Sequence, residues 1–340
     1  MPRLSLILIL SSFCIFLKIN SQEKAQETFK PSGDIIARSF FDYSTDFDEE
    51  SGFDVTRAFL GYKYRITPNL TGQVVIDAAA GSTSDDRLEV YARNAFLNWS
   101  DKKFNINFGL TGLLQFSLQE DYWMHRYVLK SFQDLNSMAP SVDLGITGEY
   151  KITDYLSADL SFTNGSGYKK VKKSGSKRYA AGLTVYPLKN IVFRVYGDIY
   201  NDSEKLRGEL PKEVTNSSYK NQYTLSLFAG YQNEKISSGI EYNKVYNKSF
   251  INDKDYFGYS FYSSIKLLPK LRLFARYDLC DSKKPHVFNS AWNDLDGQLM
   301  IAGVEFRPLK QLKVAPNFRN VNPDRKSSTQ YLFINVEFNL

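Results

Sequence analysis

The last ten residues of the chain, YLFINVEFNL (331–340), decide the fold. Counting back from the end, every second residue is apolar: Leu340, Phe338, Val336, Ile334 and Leu332. The residues between them include Asn339, Glu337 and Asn335, which are polar. This period of two is typical of a β-strand with one apolar and one polar face.

The same alternation recurs along the chain, as in NINFGL (105–110), VDLGITGEY (142–150), NIVFRVYGDI (190–199) and KLRLFARYDL (270–279). Helical periodicity is nearly absent beyond residue 21, and no apolar run there reaches 18 residues. With 43% hydrophobic residues the chain is too polar for a helical membrane protein, and with 15% aromatic residues it is too rich in large apolar groups to be disordered. The sequence therefore predicts an all-β protein.

Residues 1–21 have the pattern of a cleaved signal peptide. Arg3 precedes an apolar run from Leu4 to Leu17, which is shorter than the ~20 residues of a membrane-spanning helix. Cleavage near Ser21 removes two cations and lowers the net charge from +6 to +4 (6 − 2). It also leaves Cys280 as the one cysteine, so we expect export without an intramolecular disulfide.

The connections between strands fall into two length classes. Seven are short: 65–70, 98–104, 151–156, 186–191, 232–236, 267–271 and 307–312. Eight are longer: about 45–50, 81–87, 112–140, 165–177, 201–218, 246–254, 281–295 and 321–327. Alternating short turns and long loops predict a transmembrane antiparallel β-barrel of sixteen strands, with the short turns in the periplasm and the longer loops outside.

The barrel is expected over 34–340, after a short N-terminal segment at 22–33. Because no backbone group can remain unpaired in a bilayer, the last strand should pair with the first, DIIARSFFDY (34–43). The alternative is a soluble β protein, in which the apolar faces pack on a second sheet and turn lengths need not alternate.

The end of the chain also resembles the signal that the barrel-assembly machinery recognises. An aromatic residue, Phe338, stands third from the end, and Leu340 occupies the last position, where phenylalanine is commonest. We therefore expect the outer membrane of a Gram-negative bacterium, with contacts to its lipid and lipopolysaccharide.

A barrel of sixteen strands is too wide for its side chains to fill. Charged residues facing lipid near the midplane cost a few kcal/mol, so most of them are expected to line the pore. These candidates are Arg38, Arg57, Lys63, Arg65, Asp77, Asp143, Glu149, Arg194, Asp198, Arg272, Arg276, Asp278, Glu305 and Arg319. The phase of the strand at 89–99 stays open, because Arg93 falls on the same side as Leu97 and Trp99.

The connection at about 111–141, after the fifth strand, is much the longest, and its middle (118–135) predicts a helix. Such a loop can fold into the barrel and narrow it. The candidate constriction residues are Glu120, Asp121, His125, Arg126 and Lys130. Alternatively, the loop caps the barrel or packs against a neighbouring subunit through Trp123, Met124 and Tyr127.

A second loop, NGSGYKKVKKSGSKR (164–178), is basic and has no acidic residue. Its lysines include Lys169, Lys170, Lys172 and Lys173. A basic surface outside a pore raises the local concentration of anions. The alternative is a solvated tip that binds lipopolysaccharide phosphates or nothing.

Three segments, 53–79, 90–110 and 138–150, together resemble the N-terminal half of the phosphate-selective porin O/P family. The shared features are Arg57-Ala58, Phe108-Gly109 and Asp143-Leu144-Gly145. The resemblance implies a sixteen-stranded homotrimeric diffusion pore, often anion-preferring. The chain departs from the family at Val142, where a basic residue is usual, and at LTGLLQF (110–116), where Lys and Pro are usual. The family's arginine ladder and lysine cluster have no residue-by-residue match.

The prediction is a water-filled channel for passive diffusion of small hydrophilic solutes, with anion or phosphate preference open. The alternatives are a substrate-specific or plugged transporter and a structural or adhesion barrel without an open pore. An enzyme is disfavoured, because His125 and His286 accompany no catalytic motif. Two histidines and one cysteine predict no metal site. No cofactor and no nucleic acid are expected.

Overall fold

A computed structural model describes residues 29–47, 50–80, 88–169, 175–201, 208, 214, 218–287 and 289–340. The predicted signal peptide (1–21) lies outside the described residues, as do Lys170, Lys172 and Lys173 of the basic loop.

The described residues form sixteen antiparallel strands that close into one barrel in sequence order. The prediction of a sixteen-stranded antiparallel β-barrel is confirmed. The strands are β1 (Ser32–Thr45), β2 (Ser51–Arg65), β3 (Leu70–Ala80), β4 (Leu88–Ser100), β5 (Phe104–Gly112), β6 (Val142–Thr153), β7 (Leu156–Thr163), β8 (Arg178–Leu188), β9 (Ile191–Tyr200), β10 (Gln222–Gln232), β11 (Ile236–Tyr246), β12 (Tyr256–Leu268), β13 (Leu271–Ser282), β14 (Gly297–Leu309), β15 (Leu312–Pro323) and β16 (Thr329–Asn339).

The barrel closes where β16 pairs with β1. The register runs from Arg38 opposite Asn339 to Thr45 opposite Leu332. The backbone N–H of Leu340 donates to the carbonyl of Ala37 at 2.9 Å and extends the ladder by one more residue. The alternating terminal segment therefore leaves no free sheet edge.

Short turns lie at one end of the barrel and long loops at the other. The turn after β4 shows how local sequence fixes a short connection: Oδ1 of Asp101 accepts the backbone N–H groups of Lys103 and Phe104, each at 2.7 Å. These hydrogen bonds to the charged form hold the pKa of Asp101 below its ordinary value.

The two faces of the wall differ in polarity as the alternation predicts. Large apolar side chains cover the outside; Phe108 is 64% exposed and Leu160 is 67% exposed. Charged and polar side chains such as Arg194 and Asp198 are buried on the inside. An apolar outer belt of this kind is stable in lipid and unstable in water.

Among the described residues, six of the strand pairs contain a register shift, and the one between β3 and β4 concerns Arg93. On β4, Val75 pairs with Asn94 and Ile76 with Ala92, so that Arg93 is an extra residue in a β-bulge. Between β14 and β15 the register shifts from Phe306 to Leu309, next to the short turn. The bulge settles the phase of the strand at 89–99: Arg93 and Asn94 both turn inward, and Leu97 and Trp99 are outside.

The loop between β5 and β6 holds α1 (Leu114–Trp123) and α2 (Phe132–Leu135). The prediction of a single helix over about 118–135 is therefore wrong. The reason is local: Met124 has φ 62°, a left-handed conformation that ends α1, and its N–H closes the helix on the carbonyl of Glu120. A short 3₁₀ turn at Lys248–Phe250 follows β11. None of the helices within the described ranges is long and apolar enough to cross a membrane.

Candidate functional site: a constriction inside the barrel

The loop between β5 and β6, residues 113–141, enters the barrel and will be called the constriction loop. Its apolar side chains Tyr122, Trp123, Tyr127 and Val128 pack in one buried cluster with the wall. The wall residues of that cluster belong to β1 and to six of the strands from β9 to β15: Phe40, Val192, Phe228, Tyr262, Phe274, Ile301 and Ala315. The loop thus lies across the lumen, against one side of the barrel.

The backbone of the constriction loop is held by side chains of the surrounding barrel. Within the described residues, eight barrel side chains donate hydrogen bonds to backbone carbonyl groups of the constriction loop. They belong to Gln222, Gln232, Ser237, Lys248, Tyr256, Tyr262, Arg276 and Arg319. The shortest of these with ordinary geometry joins Arg276 Nη1 to the carbonyl of Lys130 at 2.6 Å. Because these carbonyls would otherwise be buried unpaired, the donors fix the path of the loop.

The sequence places His125 at the constriction, but in the structure its side chain points away from the lumen, between the constriction loop and the barrel wall. Its ring is fully buried and stacks on Phe274, with the ring centres 4.3 Å apart. Its Nδ1 lies 2.8 Å from the carbonyl of Trp123, so this nitrogen carries the proton of the neutral ring. Nε2 faces Oε2 of Glu305 at 3.6 Å, and Tyr127 donates to the same oxygen at 2.9 Å. A passing solute cannot touch this imidazole.

Burial lowers the pKa of His125 from 6.5 to about 4; nearby Lys313 and Arg272 act in the same direction, and Glu305 opposes them. In the unfolded chain the imidazole of His125 therefore binds a proton near pH 6.5, whereas in the folded protein it binds one only near pH 4. The contribution of the neutral ring to the folding stability is complete above pH 6.5 and is lost as the pH falls from 6.5 to about 4.

We expect His125→Gln to lose less stability than the wild type between these two pH values, measured by urea unfolding in lipid vesicles. An identical pH dependence in both proteins would contradict the burial argument.

The opposite side of the constriction loop is polar. Arg126 joins two acids of the loop, with Nε 3.1 Å from Oε1 of Glu120 and Nη2 2.7 Å from Oδ2 of Asp134. Burial raises the pKa of Glu120, and Arg126 partly opposes that shift. Burial also lowers the pKa of Lys130, whose side chain has no hydrogen bond or ion pair within the described residues.

The wall that faces this polar side carries arginines. Nη2 of Arg57 donates to Oδ2 of Asp77 at 3.0 Å and to the hydroxyl of Tyr168 at 2.7 Å. Arg38 pairs with Glu337 at 2.6 Å. Arg93 differs from both: its guanidinium lies 5.0 Å from the centre of the Phe59 ring and has no carboxylate partner in the described part of the chain.

Two cavities meet at this wall. The inner one, about 190 Å³, is bounded by residues of β1–β4 together with Glu120 and Arg126 of the loop. The outer one, about 600 Å³, is bounded by Lys130, Lys169, Arg178 and Lys248 among others. Arg57 borders both cavities. Arg57 therefore lies between the two cavities, with Arg93 on the inner one and Lys130 on the outer one.

Most of the other candidate lining residues lie on the inner face of the barrel and form ion pairs. In each pair the charge of the arginine is balanced by the charge of its acidic partner. The pairs are Arg178–Asp198 (2.5 Å), Arg194–Asp159 (2.5 Å), Arg276–Asp278 (2.6 Å) and Arg307–Glu305 (3.0 Å). Arg319 instead donates to Asn317, Asn335 and the carbonyl of Val128. Arg272 donates to Ser264. Lys63, Arg65 and Glu149 lie near the short-turn end, away from the constriction.

Asp143 and Asp121 also differ from the expectation. Both oxygens of Asp143 accept backbone N–H groups of Gly165 and Gly167, so this carboxylate anchors the β7–β8 loop instead of facing a solute. Asp121 is exposed, and its backbone carbonyl accepts from Gln232 at the short-turn end of β10. Neither side chain borders the two cavities described above.

The sequence reasoning missed Arg93, Tyr168 and Arg178 as neighbours of the passage. Arg93 was hidden by the bulge on β4, and no signal in one sequence places that extra residue. Arg178 was counted with the basic loop, although it is the first residue of β8 and is buried. Of the predicted basic cluster, Lys169 is described; its Nζ lies 5.0 Å from the centre of the Tyr91 ring.

Solved structures share this architecture. OmpF of Salmonella typhi in complex with daunomycin matches with a TM-score of 0.67 and 12% identity, over 91% of this chain and 97% of that one. The anion-selective porin from Comamonas acidovorans matches with a TM-score of 0.64 and 10% identity, over 92% of this chain and 100% of that one. The in-vitro folded trimer form of OmpT of Vibrio cholerae matches with a TM-score of 0.63 and 11% identity, over 92% of this chain and 100% of that one.

The fold is a porin fold. At these identities the likeness shows the fold alone, a porin-like sixteen-stranded barrel. No protein-family model matches the chain, and no curated protein matches it. The resemblance to the phosphate-selective porin O/P family therefore stays a prediction. Among the residues that the structure describes, no group of three or more His, Cys, Asp or Glu could hold a metal ion.

Proposed function

We propose that this protein is an outer-membrane porin of a Gram-negative bacterium, which lets small hydrophilic solutes diffuse passively through the space between the constriction loop and the β1–β4 wall. The sixteen-stranded barrel, its apolar outer belt and its polar interior support this function. The cavities on either side of Arg57 support a passage at this place.

One observation carries a preference for anions: the acids along the passage are paired, whereas several cations, Arg93 and Lys130 among them, are not. Asp77 is held by Arg57 and Tyr168, and Glu120 and Asp134 share Arg126. Arg93 and Lys130 have no carboxylate within ion-pair distance among the described residues. A narrow, partly desolvated passage with uncompensated positive charge attracts anions and repels cations.

The test is the reversal potential of single channels under a salt gradient, for the wild type and for Arg93→Gln. We expect the wild type to favour anions, and we expect the variant to lose part of that preference, most clearly at low salt where screening is weak. Lys244→Gln removes the same charge from the outer face of β11 and serves as the control. An unchanged reversal potential in Arg93→Gln would remove this residue from the passage.

A closed barrel is the second candidate, and the packing of the constriction loop favours it specifically. The buried cluster joins the loop to β1 and to six of the strands from β9 to β15, and eight donors fix its backbone. Silence in the bilayer from a protein shown to be folded and inserted would replace the diffusion porin by a plugged or substrate-gated transporter, or by a structural barrel.

The remaining assignments are also proposals. A homotrimer is supported by the described trimer form of one structural neighbour. Assembly through the terminal signal is supported by Phe338, which is 40% exposed on the outer face, and by Leu340, which is 70% exposed. The lysines of the basic loop, Lys169, Lys170, Lys172 and Lys173, remain candidates for attracting anions or lipopolysaccharide phosphates.

A further inference from the structure

A third cavity lies at the long-loop end of the barrel, between the constriction loop and strands β13–β16. Its volume is about 220 Å³. The loop contributes Leu129, Phe132 and Leu135, and the wall contributes Leu299, Val321 and Phe333 among others. This apolar cavity borders neither Arg57 nor Arg93, so it is separate from the proposed passage.

The inward apolar side chains of the wall that belong to the buried cluster, such as Phe274 and Ile301, are covered by the constriction loop, whereas Leu299, Val321 and Phe333 are only partly buried. Leu299, Val321 and Phe333 all point inward on successive strands, where most neighbours are charged or amide side chains. Apolar surface left in water costs roughly 25 cal/mol per Å², so an unfilled apolar cavity favours an apolar occupant. A cavity of about 150 Å³ with such a lining can hold benzene, so this one has room for a substituted ring.

Among the described residues, one carboxylate at this cavity, that of Asp296, forms no ion pair; Arg325 acts on it only from beyond ion-pair distance. Asp296 is 8% exposed; its Oδ2 accepts from the hydroxyl of Ser282, and its Oδ1 accepts from Nδ2 of Asn293 at 2.7 Å. No lysine or arginine forms an ion pair with it in the described ranges. Burial accordingly raises the pKa of Asp296. A buried carboxylate with only neutral donors is stabilised further by a cation.

The other charges around the cavity are already engaged. Asp278 binds Arg276 and Ser260, and Asp294 pairs with Arg325 at 3.4 Å. Arg319 donates to three partners and lies 3.6 Å from the centre of the Phe333 ring. Three acids and one base border the cavity, which disfavours an anion.

We propose that the apolar cavity is a binding site for small aromatic amines. The ring lies among Phe132, Leu299 and Phe333, and the ammonium group donates to the carboxylate of Asp296. Such a ligand satisfies both features at once: it covers the apolar lining and supplies the missing cation. Its charge preference is opposite to the one proposed for the passage beside Arg93.

Fluorine NMR of the full-length protein in lipid nanodiscs tests the proposal with three ligands of one shape: para-fluorobenzylamine, para-fluorobenzyl alcohol and para-fluorobenzoate. Empty nanodiscs correct for partition into lipid. We expect saturable binding of the amine, at least about tenfold weaker binding of the alcohol, and weaker binding still of the benzoate. Absence of saturable amine binding, or equal binding of amine and alcohol, would overturn the proposal without any variant.

Two carboxylate variants locate the site. Asp296→Asn keeps the shape and removes the charge, and it should abolish the advantage of the amine over the alcohol. Asp154→Asn removes an equal charge from an exposed side chain that pairs with Lys151 at the short-turn end, far from this cavity, and it should preserve that advantage. If Asp296→Asn kept the advantage, the amine would bind elsewhere and this assignment would be wrong.

Discussion

Excising Leu114–Leu135 and joining the flanking residues with a short Gly-Ser linker should raise the single-channel conductance at least about twofold, because a sixteen-stranded barrel is too wide for its wall alone to close. The removed segment includes both helices and the apolar side chains Trp123 and Tyr127 that lie across the lumen. The barrel itself should survive, since its strands pair only with one another around the closed sheet. The measurement is conductance in a planar bilayer at 1 M salt, where the Debye length is about 3 Å and surface charges contribute little.

The matched control removes residues 170–174 from the long loop between β7 and β8. At this salt concentration that deletion should leave the conductance unchanged, because it takes nothing from the buried cluster. Refolding of both variants is checked by their β-sheet circular dichroism. A folded excision variant with wild-type conductance would mean that the constriction loop does not limit the current.

The architecture was predictable because its signals are local and repeated. Period-two alternation marks each strand, and the two length classes of connection give the strand number. All seven short turns fall where the sequence predicts them; for example, β2 ends at Arg65 and β3 begins at Leu70. The terminal segment predicted closure because a strand at the chain end has only the first strand left as a neighbour.

The site was less predictable, because its geometry depends on contacts between distant residues. The left-handed Met124 splits the expected helix and turns His125 toward Phe274 instead of toward the lumen. The bulge at Arg93 changes the phase of one strand without a turn residue to mark it. Asp296 follows no motif, and its unbalanced charge became visible only when its neighbours Ser282 and Asn293 were known.

Replacing Arg276 by alanine should destabilise the barrel by about 3–5 kcal/mol, the usual cost of removing one partner from a buried ion pair. Nη2 of Arg276 lies 2.6 Å from Oδ2 of Asp278, and both side chains are almost fully buried. The substitution leaves the carboxylate of Asp278 with the hydroxyl of Ser260 and no cation. It also frees the carbonyl of Lys130 and removes the guanidinium that lies 5.1 Å from the centre of the Trp123 ring. Urea unfolding in lipid vesicles measures the loss.

Arg325→Ala is the control, because its pair with Asp294 lies at an exposed rim and should contribute only about 0–1 kcal/mol. The double variant Arg276→Met with Asp278→Leu separates two roles of the arginine. Replacing a whole buried pair by apolar residues is often neutral for stability, so most of the loss should be recovered. The donor to the Lys130 carbonyl stays absent, so the constriction loop should still be looser and the channel current noisier than in the wild type. Full recovery of a quiet current would mean that Arg276 acts on stability alone and that the other donors suffice to hold the loop.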